Sequence, residues 1–239
     1  IEAEISKLAY DARNRFIADV DYTTRISHML APETAASLAS LVDLKQAMGN
    51  PSNATEAVHK DTVYITVVDK DRMAVSLIYS IFHSFGSGIA SDRYGILFQN
   101  RGAGFTLEKG HPNELAGGKR PMHTIIPGML AQNGRITMPF GVMGGAYQPN
   151  GHARLLSNML DFDLNIQAAI DAPRSFYDNG VLKIERGYAS EVHQRLADMG
   201  HKIEIPKGPI GGAQAIFIGD DGILTGASDP RKDGCALGY

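Results

Sequence analysis

Hydrophobic and polar positions alternate with two different periods along the chain, and the switches between them mark its elements. Ile5, Leu8, Ala9, Ala12 and Phe16 recur at helical spacing with charges between them, which predicts a helix over about 2–18. Pro32 followed by Glu33 fits the first turn of a second helix running to about Val42. From Gly49 to Asp61 the chain turns to Asn, Ser, Pro, Thr and Lys and reads as an exposed linker. A β-branched run from Thr62 to Val68, the polar turn Asp69-Lys70-Asp71-Arg72 and the run Met73–Ser80 then read as a hairpin.

Phe85-Gly86-Ser87-Gly88 is a flexible turn before an expected strand at Tyr94–Gln99. Residues 100–122 form a Gly-rich irregular stretch, long enough to suggest a functional role. Asn133-Gly134 joins two further expected strands, His123–Leu130 and Arg135–Gly141. Helical spacing returns through Leu155, Leu156 and Met159, and Asn165 can cap a short helix that ends before Pro173. Val181–Glu185, Lys202–Ile205, Ala213–Ile218 and Ile223–Ala227 read as strands. Between the first two lies a helix over Glu191–Met199, stopped by Gly200. Hairpin-joined strands dominate, so the sheets should be largely antiparallel, and two sheets covered outside by helices is a consistent α+β packing.

Composition narrows the function classes. The 239 residues are 44% apolar and 21% charged, ordinary for a folded chain with a real core. A net charge of −3 gives no reason to expect nucleic acid as a partner, and no apolar run reaches membrane-spanning length. The single cysteine, Cys235, excludes an internal disulfide and leaves the compartment open between cytoplasm and periplasm or exterior. The eight histidines include no His-x-x-x-His pair, so neither a metal nor any other cofactor is expected. Gly141-Val142-Met143-Gly144-Gly145 lacks the spacing of a phosphate-binding loop, yet its paired glycines can leave N–H groups free for an oxyanion. The chain opens at Ile1 inside a helical pattern, without Met, and reads as one whose beginning lies elsewhere.

Thr62, alone, is explained by β-propensity. The motifs around it change that reading. Thr62, then Val67-Val68-Asp69 and Phe85-Gly86-Ser87-Gly88, resemble the start of the small subunit of γ-glutamyltransferases, which are N-terminal-nucleophile (Ntn) hydrolases. Gly95-Ile96-Leu97, Lys119-Arg120-Pro121, Gly144-Gly145, Ala172-Pro173-Arg174, Gly200-His201, Gly226-Ala227-Ser228-Asp229-Pro230-Arg231 and Gly238-Tyr239 follow in the family's order. Lys7-Leu8-Ala9-Tyr10 and Arg13 resemble the last part of the large subunit. The resemblance thus divides the chain into a large-subunit end with linker, 1–61, and a small-subunit region, 62–239, sharing one αββα four-layer sandwich. Most of the large subunit is missing and counts as an expected partner, and an oligomer is left open.

The resemblance implies self-cleavage between Asp61 and Thr62, with Thr62 as nucleophile and Ser80 as an assisting hydroxyl. It implies Gly144 and Gly145 as oxyanion donors. His123 and Thr124 match two serines that hold the substrate carboxylate. Arg101 stands where typical members carry an acidic or amide residue, Gly104 where they carry Asp, and Phe82 where they carry Asn. The implied activity is cleavage of γ-glutamyl amides of the glutathione type through an acyl-enzyme. Two alternatives stand beside it: an acylase for glutaryl-type amides, and a non-catalytic homologue.

Overall fold

The computed structural model describes residues 1–49 and 62–239. The described residues gather into two compact units, each assembled from separate stretches of chain.

The first unit takes 1–49, 100–123 and 175–205. Its helices are α1 (Glu2–Phe16), α2 (Ile26–Met29) and α3 (Pro32–Ala39). Three strands form a small sheet, β5 (Ser175–Asp178), β6 (Val181–Ile184) and β7 (Ile203–Glu204), with α6 (Ser190–Asp198) between the last two. The remaining strands and helices belong to the second unit. β5 and β6 pair antiparallel around Asn179 and Gly180, whose φ values of 51° and 80° mark a primed turn. β7 pairs parallel with β6, since α6 carries the chain back to the same end. The core joins Ala3 of α1 to Leu182 and Ile184, and Tyr10 stands edge-on to Phe176 at 5.6 Å. Beside it lies a buried charged group. Lys7 Nζ donates to Glu4 at 2.7 Å and to the Met48 carbonyl at 2.7 Å, while Glu4 accepts the Met48 N–H at 2.8 Å.

The second unit takes 62–99, 124–174 and 206–239. β1 (Thr62–Val68) and β2 (Ala74–Ser80) form the expected hairpin, with Thr62 opposite Ser80. A four-stranded antiparallel sheet has the order β3 (Gly128–Gln132), β4 (Arg135–Met143), β8 (Gly212–Ile218), β9 (Leu224–Ser228). The hairpin stacks on β4: Ser76 Oγ donates to the Phe140 carbonyl at 3.2 Å, and the Tyr64 ring lies where a side chain on Gly141 would stand. α4 (Gln148–Leu160) and α5 (Ile166–Asp171) cover the other side of the four-stranded sheet. Gly151 of α4 meets Val142 of β4 with no room for a Cβ. Asn165 caps α5 by accepting the Ala168 N–H at 2.9 Å.

The mixed α+β fold with stacked antiparallel sheets is as expected. Two expected strands are corrected. Tyr94–Gln99 forms only an isolated bridge, Ala90 with Leu97, because the chain curls back on itself through Gly95 at φ 64°. The segment His123–Leu130 becomes strand only at Gly128, where β4 first offers it a partner. No helix among the described residues is long and apolar enough to cross a membrane.

Candidate active site

Strand pleating decides where Thr62 points. Alternate residues share a face, so Thr62 lies on the same side of β1 as Tyr64, whose ring is buried against β4. The register places Ser80 directly across, and Thr62 Oγ1 donates to Ser80 Oγ at 3.1 Å. Ser80 Oγ also accepts the Phe82 N–H at 3.0 Å. Phe82 is buried, stacked on His83 at 4.6 Å, and held at φ 78°, a left-handed conformation that costs a phenylalanine roughly 1–2 kcal/mol. An Asn takes that conformation more readily, so the Phe here is sustained by its packing.

β4 runs from beneath the hairpin straight into Gly144 and Gly145. Their φ values are 135° and 57°, and the first of these demands glycine. Among the described residues no carbonyl takes either N–H, which leaves two adjacent donors at the start of the turn that feeds α4. The turn is braced from behind. A Cβ on Gly144 would stand 2.9 Å from the Gly211 Cα, and one on Gly211 would stand 2.6 Å from the Met143 carbonyl. Arg174 holds that neighbouring loop through the Ile210 carbonyl at 2.9 Å, and its other nitrogen pairs with buried Asp229. Asp229 also accepts the Ala213 N–H at 2.7 Å and pairs with Arg231 at 3.3 Å. The two motifs Ala172-Pro173-Arg174 and Ser228-Asp229-Pro230-Arg231 thus meet in one buried ion cluster that positions the glycine turn.

Thr124 is buried in the same unit, two residues before Ile126, whose N–H goes to Gln148 Oε1 at 3.2 Å in the first turn of α4. The structure therefore ties Thr62 to Ser80, and the backbone two residues past Thr124 to the helix that follows Gly144-Gly145. Arg101 and His123 belong to the first unit. Arg101 is 5% exposed in a short 3-10 turn, Arg101–Gly104, and burial pushes its guanidinium pKa down. His123 is exposed and donates through Nδ1 to the Pro121 carbonyl at 2.8 Å. Asp61 lies outside the described residues.

Two side chains were invisible as site neighbours in the sequence. Asn113 donates to the Gly104 carbonyl at 2.7 Å and accepts the Met122 N–H at 2.9 Å, so it fastens the Arg101–Gly104 turn to the residue before His123. His152 of α4 accepts the Val142 N–H at 3.3 Å and lies 4.8 Å from the Phe140 ring. Burial lowers its pKa to about 4. An Asn in an irregular loop and a His on a helix carry no local signal of either role.

The γ-glutamyltranspeptidase family model matches residues 1–239. The oxamate amidohydrolase proenzyme of Klebsiella pneumoniae is 35% identical over 99% of this chain and 46% of its own length. A cephalosporin acylase structure from Bacillus halodurans is 35% identical with a TM-score of 0.89, covering 100% of this chain and 45% of that one. The γ-glutamyltranspeptidase of Pseudomonas nitroreducens, solved with L-DON, is 26% identical with a TM-score of 0.69, and covers 74% of this chain and 98% of that one. The chain therefore spans about half the length of that curated relative.

Proposed function

The chain belongs to the γ-glutamyltranspeptidase family of Ntn hydrolases, and from that premise we propose that it carries the nucleophile of an amide hydrolase or acyltransferase matured by a cut before Thr62. The observation that carries this reading is the Thr62–Ser80 hydroxyl pair on a hairpin anchored to the strand that ends in Gly144-Gly145. The share of this chain aligned with the Pseudomonas nitroreducens chain, 74%, is also about the share that residues 62–239 make up.

In the uncut chain Thr62 Oγ1 attacks the Asp61 carbonyl, the peptide nitrogen leaves as an amine, and water opens the ester to a free Asp61 carboxylate. Thr62 then owns an α-amine, which titrates near ~7.7–8.0 and can act as base at neutral pH. That amine takes the Oγ1 proton as Oγ1 attacks a substrate amide. Gly144 and Gly145 hold the oxyanion, and the proton passes to the leaving amine. Water or an amino acid releases the acyl group. Ser80 keeps Oγ1 oriented throughout.

The donor class is a short acyl amide ending in a carboxylate, of which γ-glutamyl compounds such as glutathione are the first reading. Glutaryl-type amides, which lack the α-amine, are the second. Gly104 and Arg101 stand where typical members carry groups that grip that amine, and Arg101 is buried rather than solvated. Losing an Asp contact to an ammonium forfeits roughly 1.5–3 kcal/mol. The polypeptide that completes the longer relatives is the expected partner and the expected source of further carboxylate-binding groups.

Intact mass spectrometry tests the first claim: two chains, 1–61 and 62–239, against one uncut chain for Thr62→Ala. A Thr62→Ala chain that still splits there refutes the nucleophile, and an intact wild-type chain favours the non-catalytic homologue. Specificity is read as kcat/KM for γ-glutamyl and glutaryl p-nitroanilides on the complete enzyme. The two should lie within about a hundredfold, equal to ~2.7 kcal/mol, and a larger γ-glutamyl preference shows that the amine is recognised after all.

A further inference from the structure

Residues 100–123 carry Arg101, Gly104 and His123, three of the positions set against the family's substrate-gripping groups. Apart from the Arg101–Gly104 turn and one bridge, Thr106 with Glu114, the stretch has no regular structure. Backbone without a ladder needs other partners. Several of them come from residues 14–22, which lie on the other side of the proposed cut but in the same compact unit. The first mooring is Asp19, 8% exposed, whose carboxylate accepts the Arg120 backbone N–H at 2.7 Å and a guanidinium N–H at 3.2 Å. The Arg120 side chain is 71% exposed, so its charge is screened and adds little. The charge-assisted bond to the backbone is the one that fixes the chain. Asp19 is itself locked in place: its carbonyl accepts the Tyr22 and Thr23 N–H groups at 2.8 and 3.1 Å, and Thr23 Oγ1 accepts the Ala18 N–H at 3.0 Å. Lys119 Nζ stands 3.8 Å over the Tyr22 ring of the same turn. The second mooring is His111. Its Nδ1 accepts the Asn113 N–H at 2.9 Å, so the proton sits on Nε2, which donates to the Asn14 carbonyl of α1 at 2.9 Å. Asn113, bonded to the Gly104 carbonyl and the Met122 N–H, is thereby anchored to α1.

We propose that Asp19 is a positioning residue for donor binding. Through Arg120, and with the Asn14–His111–Asn113 relay beside it, residues 14–22 set where Gly104 and His123 stand, and so govern donor affinity without touching the donor. This inference rests on the function proposed above. The two moorings close on one short segment: Arg120 and Met122 flank Pro121, whose ring fixes its own φ and whose carbonyl takes the His123 ring N–H. Little slack is left in the backbone that enters His123. The Thr62–Ser80 pair and the Gly144-Gly145 turn belong to the second unit and use none of these bonds. Loss of a mooring should therefore fall on binding and spare the chemical step.

The test compares Asp19→Ala, Asp19→Asn and Arg120→Ala with wild type in the complete enzyme. The cut is read by intact mass, and KM and kcat are measured with γ-glutamyl and glutaryl p-nitroanilides. Asp19→Ala should raise KM for both donors by about tenfold or more, with kcat changed by less than about twofold and the cut complete. Asp19→Asn keeps an oxygen for the Arg120 N–H and should recover most of that loss. Arg120→Ala keeps the N–H itself and should stay within about threefold of wild type. An unchanged KM in folded Asp19→Ala overturns the proposal. So does a fall in kcat that leaves KM alone, or a larger effect from Arg120→Ala than from Asp19→Ala. If Asp19→Ala misfolds, His111→Ala carries the same expectation through the second mooring. Wild-type enzyme that turns over neither p-nitroanilide refutes the proposed donor class instead. Hydrogen exchange then decides the mooring: Asp19→Ala must speed the Arg120 and Met122 amides and leave those of β4 unchanged, and equal exchange overturns it.

Discussion

Lowering the pH should weaken the second unit through His152. Its imidazole is neutral in the fold, accepting the Val142 N–H while packed near Phe140, and burial lowers its pKa to about 4. Unfolded, it returns to about 6.5. Between these values the unfolded chain binds the extra proton, so stability is full above pH 6.5 and falls as pH drops toward 4. The slope is about 1.4 kcal/mol per pH unit, which amounts to roughly 2 kcal/mol lost at pH 5. His201, lowered first by burial and then by Lys7, tilts stability in the same direction. A difference measurement therefore isolates His152: urea unfolding of wild type and His152→Gln at pH 7.5 and pH 5. The variant should lose roughly 2 kcal/mol less than wild type across that interval. Equal losses in the two proteins would show that His152 is not held neutral by its surroundings, and that the strand leading to Gly144 is not acid-sensitive through this contact.

Three substitutions probe the turn itself. Gly144→Ala must place a Cβ at φ 135° and 2.9 Å from Gly211 and should cost about 1–3 kcal/mol in urea unfolding, while Gly145→Pro removes a backbone donor outright and should lower kcat by about 10²–10³, so that near-normal kcat in a folded Gly145→Pro variant moves the oxyanion donors elsewhere. Arg174→Met leaves Asp229 with Arg231 and backbone donors only, so unfolding should become easier by about 3 kcal/mol, and a change below about 1 kcal/mol would show that the ion cluster does not brace the Ile210–Gly211 loop.

Local chemistry made the hairpin, the Asn133-Gly134 turn and the Asn165 cap legible, because each is decided within a few residues. Asn179-Gly180 is the same signal as Asn133-Gly134, and reading it would have revealed β5. Tyr94–Gln99 has strand composition but finds no partner strand among the described residues beyond the bridge of Leu97 to Ala90, and its aromatic and aliphatic residues remain exposed. Composition cannot report that absence. The candidate pair Thr62 and Ser80 came from the family resemblance, and the hairpin register then sets the two opposite each other. The burial of Arg101, the Asn113 tie and the Arg174–Asp229 pair depend on contacts made after folding. The pairing of Arg174 with Asp229 spans 55 positions of chain, and no periodicity encodes it.

The core of the first unit bears on what a cut before Thr62 would leave behind. Ala3 on one side of the proposed cut packs with Leu182 and Ile184 on the other, and Tyr10 meets Phe176. Neither product would own a complete hydrophobic centre there. The amino-terminal product would be less a released propeptide than a missing piece of its companion's interior, retained without any covalent bond. Separating the two would require unfolding that unit. Mixing them as separately made polypeptides would amount to fragment complementation, with folding and association as a single event whose midpoint depends on concentration.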